Sequence, residues 1–543
     1  MTTPPAPDYA AFAEGFAAGR GQVLWRERVA DLETPVGAFL KLAAGRPNSF
    51  LLESVEGGSA RGRYSAIGFD PDLVWRCRDG RAEVNRHALA APHAFEPEHG
   101  GALDSLRRIV SEVQAPLPAG LPPMATGLFG YLAYDMVRLM ERLPADKPDV
   151  LGIPDAVLAR PGIIAAFDHV RDALTLCAAV WPRSGADDPR AAWDAAQARL
   201  DEAEAALDRP LPRTAGPVSL PPMPQPGSNF TEAGFVAAVE RAKEYIRAGD
   251  CFQVVPSQRF SAPFALPPFA LYRALRRINP APFLFFFDYG GFAAVGASPE
   301  ILVRLRDNTV TIRPLAGTRP RGATPELDAE NERDLLADPK ERAEHLMLLD
   351  LGRNDVGRAV MLNDHGRNEA ATAPRVRVTE SFTIERYSTV MHIVSNVEGD
   401  APDGLDPVDV ILTALPAGTL SGAPKVRAMQ IIDELESEKR GVTYAGAAGY
   451  ISASGAVDTC IILRTALFKD GMMYVQGGGG VVADSDPDAE ARECMTKAAP
   501  LLQAIGARLE EPAGRPVAPP PRLGPRPLPR PDQALGVFET VLA

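Results

Sequence analysis

Short apolar blocks and alternating apolar–polar runs fill most of this chain, and they fall into groups by type. Strand-like text appears early as Ser49-Phe50-Leu51-Leu52-Glu53-Ser54-Val55 and as Ile163 to Phe167. Later runs predict strands over 252–260, 283–288, 300–305, 310–315, 376–386, 390–398, 446–452, 458–468 and 472–477. Helical spacing predicts helices over 193–207, 233–248, 268–277, 330–350, 405–413, 423–437 and 487–505. Strands cluster with strands and helices with helices, which favours an α+β architecture over a doubly wound parallel sheet.

Composition divides the chain further. Residues 1–20 are Pro/Ala-rich and are expected to be poorly ordered. A first domain is expected over 21–207 and a denser second one over 229–508, joined by a linker at 208–228 that carries seven prolines. Residues 509–543 form a Pro/Arg-rich tail. The net charge is −13, which argues against general nucleic-acid binding. Five cysteines lie scattered without C-x-x-C spacing, as expected of reduced thiols in a cytoplasmic protein. No opening signal peptide and no apolar run of the ~18 residues needed to span a bilayer is present, so no membrane partner is expected.

Five segments carry candidate chemistry. In 476–493 four glycines precede a helix start at Ser485-Asp486-Pro487. Backbone N–H groups can approach an anion closely where no Cβ intervenes. Glu490, Glu493 and Lys497 follow at i, i+3 and i+7 on one helical face. Glu341 and Glu344 repeat the E-x-x-E spacing. Either pair alone is equally a charged, exposed face. Two pairs on separate helices, with a ligand carboxylate and waters, would make an all-oxygen site suited to Mg²⁺. The segment 415–425 places small residues and hydroxyls before Pro424, an anion-facing helix start without the G-x-x-x-x-G-K-[ST] of nucleotide hydrolysis. His392 falls in an alternating strand and is a candidate acid–base group. Arg464 falls in apolar strand text, where a cation needs a carboxylate partner from the protein or a ligand.

Six segments together resemble one family: IRPLAGTRPRG (312–322), ERAEHLMLLDLGRND (341–355), LPAGTLSGAPKVRAM (415–429), YAGAAGY (444–450), DTCIILRTA (458–466) and QGGGGVVADSDPDAEAREC (476–494). The set is similar to the chorismate-utilising enzymes and, among them, to the component I group of anthranilate synthases, over about residues 30–505. The resemblance implies two packed antiparallel β-sheets flanked by helices, with a regulatory first domain and a chorismate-binding second one. It implies a carbon–oxygen lyase reaction in which chorismate and ammonia give anthranilate and pyruvate, the committed step of tryptophan biosynthesis. Isochorismate-forming members carry a water-activating lysine where this chain has Gln253. Aminodeoxychorismate synthases, the alternative reading, resemble P-I-K-G-T where this chain has Pro314-Leu315-Ala316-Gly317-Thr318.

The resemblance also implies roles. Glu344 and Glu493 would hold Mg²⁺, supported by Glu341 and Glu490. Gly317, Tyr444, Arg464, Gly478, Gly479, Gly480 and Lys497 would bind the substrate. Glu300, His392 and Thr419 would bind a hydroxyl and move protons. No glutamine-hydrolysing segment occurs, so a separate amidotransferase subunit would supply the ammonia. L-tryptophan would inhibit from a pocket built by Glu53, Ser54, Asn279, Pro280, Pro282, Phe283, Leu284, Phe285, Tyr450 and Cys460.

Overall fold

A computed structural model describes residues 8–56, 60–144, 147–182, 187–212, 226–361, 376–387 and 390–506. Most of the 208–228 stretch and all of the 509–543 tail lie outside these residues.

Two large antiparallel sheets dominate. The first has 11 strands, running from Gln22–Val29 through Ser49–Glu56, Phe283–Asp288, Ala293–Ser298, Thr465–Lys469 and Met472–Gly478 to Ser257–Pro263 and Gly227–Ser228. The second has 12 strands, among them Leu315–Pro320, Val390–Asp400, Ile301–Arg306, Val457–Ile461, Ala447–Ser452 and Gly127–Leu132. Each sheet takes strands from both sides of the proline-rich stretch, because Ser49–Glu56 pairs with Phe283–Asp288 and Gly127–Leu132 pairs with Ala447–Ser452.

Strand side chains alternate between faces, so each sheet presents two apolar surfaces. Phe50, Phe129, Phe285, Phe287 and Tyr450 fill the layer between the sheets, with the Phe50 and Phe129 rings stacked at 4.6 Å. Helices Pro35–Leu42, Pro189–Leu207, Pro268–Ile278 and Pro487–Gly506 cover the outer face of the first sheet. Helices Ala102–Val113, Pro339–Met361 and Pro407–Ala414 cover that of the second. This is the α+β arrangement of packed sheets and outer helices expected from the sequence.

Four local expectations are corrected. Residues 9–17 are not loose: Tyr9–Ala17 is a helix capped by Asp8, and Phe12 and Phe16, one turn apart, are buried in the core. The helix expected at 330–350 is two helices, Pro325–Ala337 and Pro339–Met361. Pro339 lacks the N–H to continue the first, and Asp338 Oδ1 caps the second at Lys340 N (2.9 Å). The strand expected at 310–315 breaks at Pro314 into Thr309–Ile312 and Leu315–Pro320. The strand expected at 458–468 is also two. Val457–Ile461 belongs to the second sheet and Thr465–Lys469 to the first, and the chain crosses between them at Arg464, whose φ is +49°.

Candidate active site

That crossover builds half of the site. Ala293–Ser298 pairs in the first sheet and Ile301–Arg306 in the second, so the chain also changes sheets at Pro299-Glu300. The two crossovers lie side by side: Ala297 N donates to Arg464 O (3.2 Å) and Ile461 N donates to Glu300 O (3.0 Å). Glu300 and Arg464 therefore meet at the seam between the sheets.

Glu300 is only 7% exposed, and burial pushes its carboxyl pKa up to about 8 against the opposing pull of Thr419 and Arg464. Thr419 Oγ1 donates to Glu300 Oε2 at 3.4 Å. Burial holds Arg464 below the usual guanidinium range, with Tyr387 and Glu300 pulling the other way. Its position in strand text is corrected, but its need for a carboxylate partner stands. His392, on Val390–Asp400, lies 3.0 Å from Thr318 Oγ1 and 3.1 Å from Gly317 O through Nδ1. A carbonyl only accepts, so Nδ1 carries the proton and Nε2 is left as an acceptor. Burial holds the His392 pKa down at about 4, so the ring is neutral near pH 7.

The other half comes from helix starts. Gly317 occupies a bulge with φ +79°, and a Cβ there would stand 3.2 Å from Glu341 Oε2, so the His392 strand and the Glu341 helix meet at this residue. Glu344 is pushed up by burial and then by Glu341 and Glu493, which shows the two E-x-x-E pairs facing one another. Glu490 is pushed up by burial, and Glu493 adds to this. Ser485 Oγ donates to Glu490 Oε1 (2.8 Å), while the buried Glu490 Oε2 has no partner among the described residues. Lys497 Nζ pairs with Glu493 Oε1 (2.8 Å) and donates to Gly478 O (3.2 Å). Among the described residues, no three carboxylate, histidine or cysteine groups form a ready metal cluster. The all-oxygen donor set and the orphaned Glu490 Oε2 nonetheless fit a hard cation that takes further ligands from substrate and water.

The glycine run is needed for space. A Cβ at Gly478 would stand 2.7 Å from Tyr444 Oη, one at Gly479 2.5 Å from Glu490 Oε2, and one at Gly480 2.4 Å from Gln253 Nε2. The Gly479 N–H donates to Pro256 O at 3.3 Å. Gln253 also reaches Glu344 Oε1 at 3.5 Å, closing the ring between the glycines and the carboxylates. Thr318 and Tyr387 belong to the site and were missed. Thr318 adjoins Gly317 in the sequence, whereas nothing marks Tyr387 before the sheet is folded.

The expected inhibitor residues divide between the layer that separates the two sheets and the helix-covered face of the first sheet. Phe283, Phe285, Tyr450 and Cys460 face the layer between the sheets. Glu53 and Leu284 are paired neighbours whose side chains turn to the helix-covered face. There Glu53 accepts from Tyr272 Oη (2.5 Å) and from Arg276 Nε (2.8 Å) and Nη2 (3.0 Å). Ser54 is half-buried beside Glu53, and Asn279, Pro280 and Pro282 form the turn entering Phe283–Asp288.

Comparison with known proteins agrees with this geometry. A family model described as chorismate binding enzyme matches residues 48–503. Anthranilate synthase component 1 of Cereibacter sphaeroides is 55% identical over 498 residues, covering 91% of this chain and 97% of that protein. The Thermus thermophilus protein of the same name is 46% identical over 479 residues, 88% of this chain and 96% of its own. The crystal structure of anthranilate synthase component I from Streptococcus pneumoniae superposes with a TM-score of 0.69 at 34% identity, over 87% of this chain and 98% of that one. The menaquinone-specific isochorismate synthase of Escherichia coli shares the fold at a TM-score of 0.64 and 19% identity. With fold, seam and carboxylate pairs in place, this chain belongs to the chorismate binding enzyme family.

Proposed function

We propose that the protein is the chorismate-converting component of an anthranilate synthase, forming anthranilate and pyruvate from chorismate and ammonia. The convergence of Glu300, Arg464 and His392 on one seam, faced by two carboxylate pairs and closed by the neutral amide of Gln253, carries this reading. An amide cannot take a proton from water, which favours ammonia as nucleophile. Ala316 offers no nucleophilic atom, which disfavours the aminodeoxychorismate alternative.

Glu341, Glu344, Glu490 and Glu493 would hold Mg²⁺, which would offset the charge of a substrate carboxylate. Arg464 and Tyr444 bind and orient the other carboxylate of the substrate. Glu300 keeps its proton near pH 7 and delivers it to the ring hydroxyl as that group leaves, with Thr419 orienting the acid. His392 Nε2 accepts the ring proton as pyruvate departs and the ring aromatises. A separate glutamine amidotransferase subunit supplies ammonia in a cytoplasmic complex. L-tryptophan inhibits from the wall formed by Ser54, Phe283, Phe285, Tyr450 and Cys460.

The test is product identification by fluorescence and mass from chorismate, Mg²⁺ and ammonium, with and without tryptophan. Anthranilate that falls on adding tryptophan is the expected result. Aminodeoxychorismate or isochorismate as product would overturn the assignment, and indifference to tryptophan would remove the inhibitor pocket alone.

A further inference from the structure

A small cavity adjoins the acid at the sheet seam. Glu300, Ile461, Thr419, Asp355, Gly352 and Leu348 line it, on strands of the second sheet, the loop before helix Lys425–Leu435 and helix Pro339–Met361. It offers about 30 Å³ to water-sized molecules, where about 10–15 Å³ suffices for one. Most of the lining is apolar. The exception besides Glu300 and Thr419 is Asp355, which is 5% exposed. Its Oδ2 accepts from Lys425 Nζ at 2.9 Å, and its buried Oδ1 has no partner among the described residues. An acceptor left unpaired in an apolar chamber calls for a small donor. Neither Asp355 nor Lys425 touches the carboxylate pairs or has a part in the chemistry above.

We propose that this cavity receives the oxygen expelled from chorismate, as water, and that Asp355 holds that water across from Glu300. The inference rests on the anthranilate synthase reading. As the nitrogen–carbon bond forms from the ammonia lone pair, the ring double bonds shift and the carbon–oxygen bond breaks. The bonding pair leaves with the hydroxyl oxygen, and the Glu300 proton turns it into water. The added nitrogen sheds one proton to become the amine, which restores the acid. The new water is the nearest competing nucleophile to the ring and would also reverse the step. A chamber beside the acid, with an acceptor on its far wall, draws the water off while Glu300 is still charged. Lys425 Nζ, 2.9 Å from Oδ2, fixes the Asp355 side chain, which makes Asp355 a positioning residue for the leaving group.

The experiment fills the chamber without touching the ion pair. A Cβ at Gly352 would meet Ile312 Cγ2 at 3.5 Å and Pro314 Cγ at 3.7 Å, ordinary contact distances, and both residues line the same cavity. Gly352 lies inside a helix, where alanine is favoured over glycine. In the full chain with ammonium as nitrogen source, Gly352→Ala should lower kcat about threefold and Gly352→Val about tenfold, with chorismate KM within about twofold. Asp355→Asn should lower kcat about tenfold with the same KM pattern, because it weakens the acceptor while keeping its shape. Wild-type kcat in both Gly352 variants at an unchanged melting temperature would overturn the proposal. So would a rise in KM that accounts for the whole loss, since that would make the cavity part of substrate binding. Should Asp355→Asn fail to fold, the Gly352 pair decides. A wild-type protein that forms no anthranilate refutes the parent reading. One that does, with unaffected variants, refutes this inference alone.

Discussion

The sheet seam and the helix-borne mouth carry the same kinds of group in opposite physical settings. At the seam, Glu300 and His392 are 7% and 5% exposed, and burial moves the carboxyl up to about 8 and the imidazole down to about 4. At the mouth, Glu493 and Lys497 keep about half their side-chain surface in water, at 51% and 45%. Both settings gather charge and both push carboxylates up, but the seam also holds a neutral imidazole beside its raised acid, the pairing that proton transfer needs. The mouth instead holds several like charges close together, a load that a cation relieves. Proton transfer thus belongs to the buried region and charge neutralisation to the open one.

The largest effect should come from the seam. Glu300→Gln keeps the shape and removes the acid, and should cost about 10²–10⁴ in kcat. The protonated form of Glu300 is the active one. Wild-type kcat at fixed free ammonia should therefore be full below about pH 8 and fall as pH rises through it. The variant should lose that limb. A variant that keeps the alkaline limb would move the acid elsewhere.

His392→Ala should cost less, about 10–100-fold in kcat, because water can partly replace a base. The wild-type profile should show no acid limb near 6.5, since the ring stays neutral down to about 4. Stability has its own sign. The unfolded ring takes up a proton below its ordinary 6.5 and the folded ring does not, so this stabilisation is present above 6.5 and lost as pH falls through about 4. Denaturant titrations between pH 7 and 4 with His392→Gln as comparison check it, since the variant should lose less stability on acidification.

The contrast between regions also explains what the chain reveals before folding. The mouth is local: Glu341 with Glu344, and Glu490 with Glu493, follow helical spacing, and Ser485-Asp486-Pro487 marks the start of the second pair's helix. Most strands were legible because short apolar runs are local too, as at Phe283–Asp288. The seam is not local. The stretch 458–468 reads as one apolar strand, and only the competition between two sheets for its halves throws Arg464 into the gap. Prolines 314 and 339 were visible breakers, yet the apolar pattern on either side outweighed them. The side on which Glu53 lies depends on register with Phe283–Asp288, which a motif match does not encode.

A smaller effect is expected at the mouth. Glu490→Gln removes a charge from a carboxylate whose Oε2 is unpartnered, while keeping the bond from Ser485. The Mg²⁺ concentration giving half-maximal activity should rise about tenfold, with kcat at saturating Mg²⁺ nearly retained. A large loss of kcat at saturating Mg²⁺ would instead place Glu490 with the proton-transfer group.

Lys497→Gln should have the smallest effect and the opposite sign. The lysine neutralises Glu493 at 2.8 Å, in a solvent-exposed i,i+4 pair worth about 0–1 kcal/mol. Melting temperature should therefore hardly move. Without its ammonium, Glu493 is free to serve a metal, so the half-maximal Mg²⁺ concentration should fall a few-fold where Glu490→Gln raises it. Chorismate KM should rise modestly in the same variant, because Lys497 also adjoins the Gly478 carbonyl beside Tyr444. If Mg²⁺ demand rose in both variants, Lys497 would be ordering the carboxylates rather than competing for them. The mouth would then be as preorganised as the seam, despite its exposure to water.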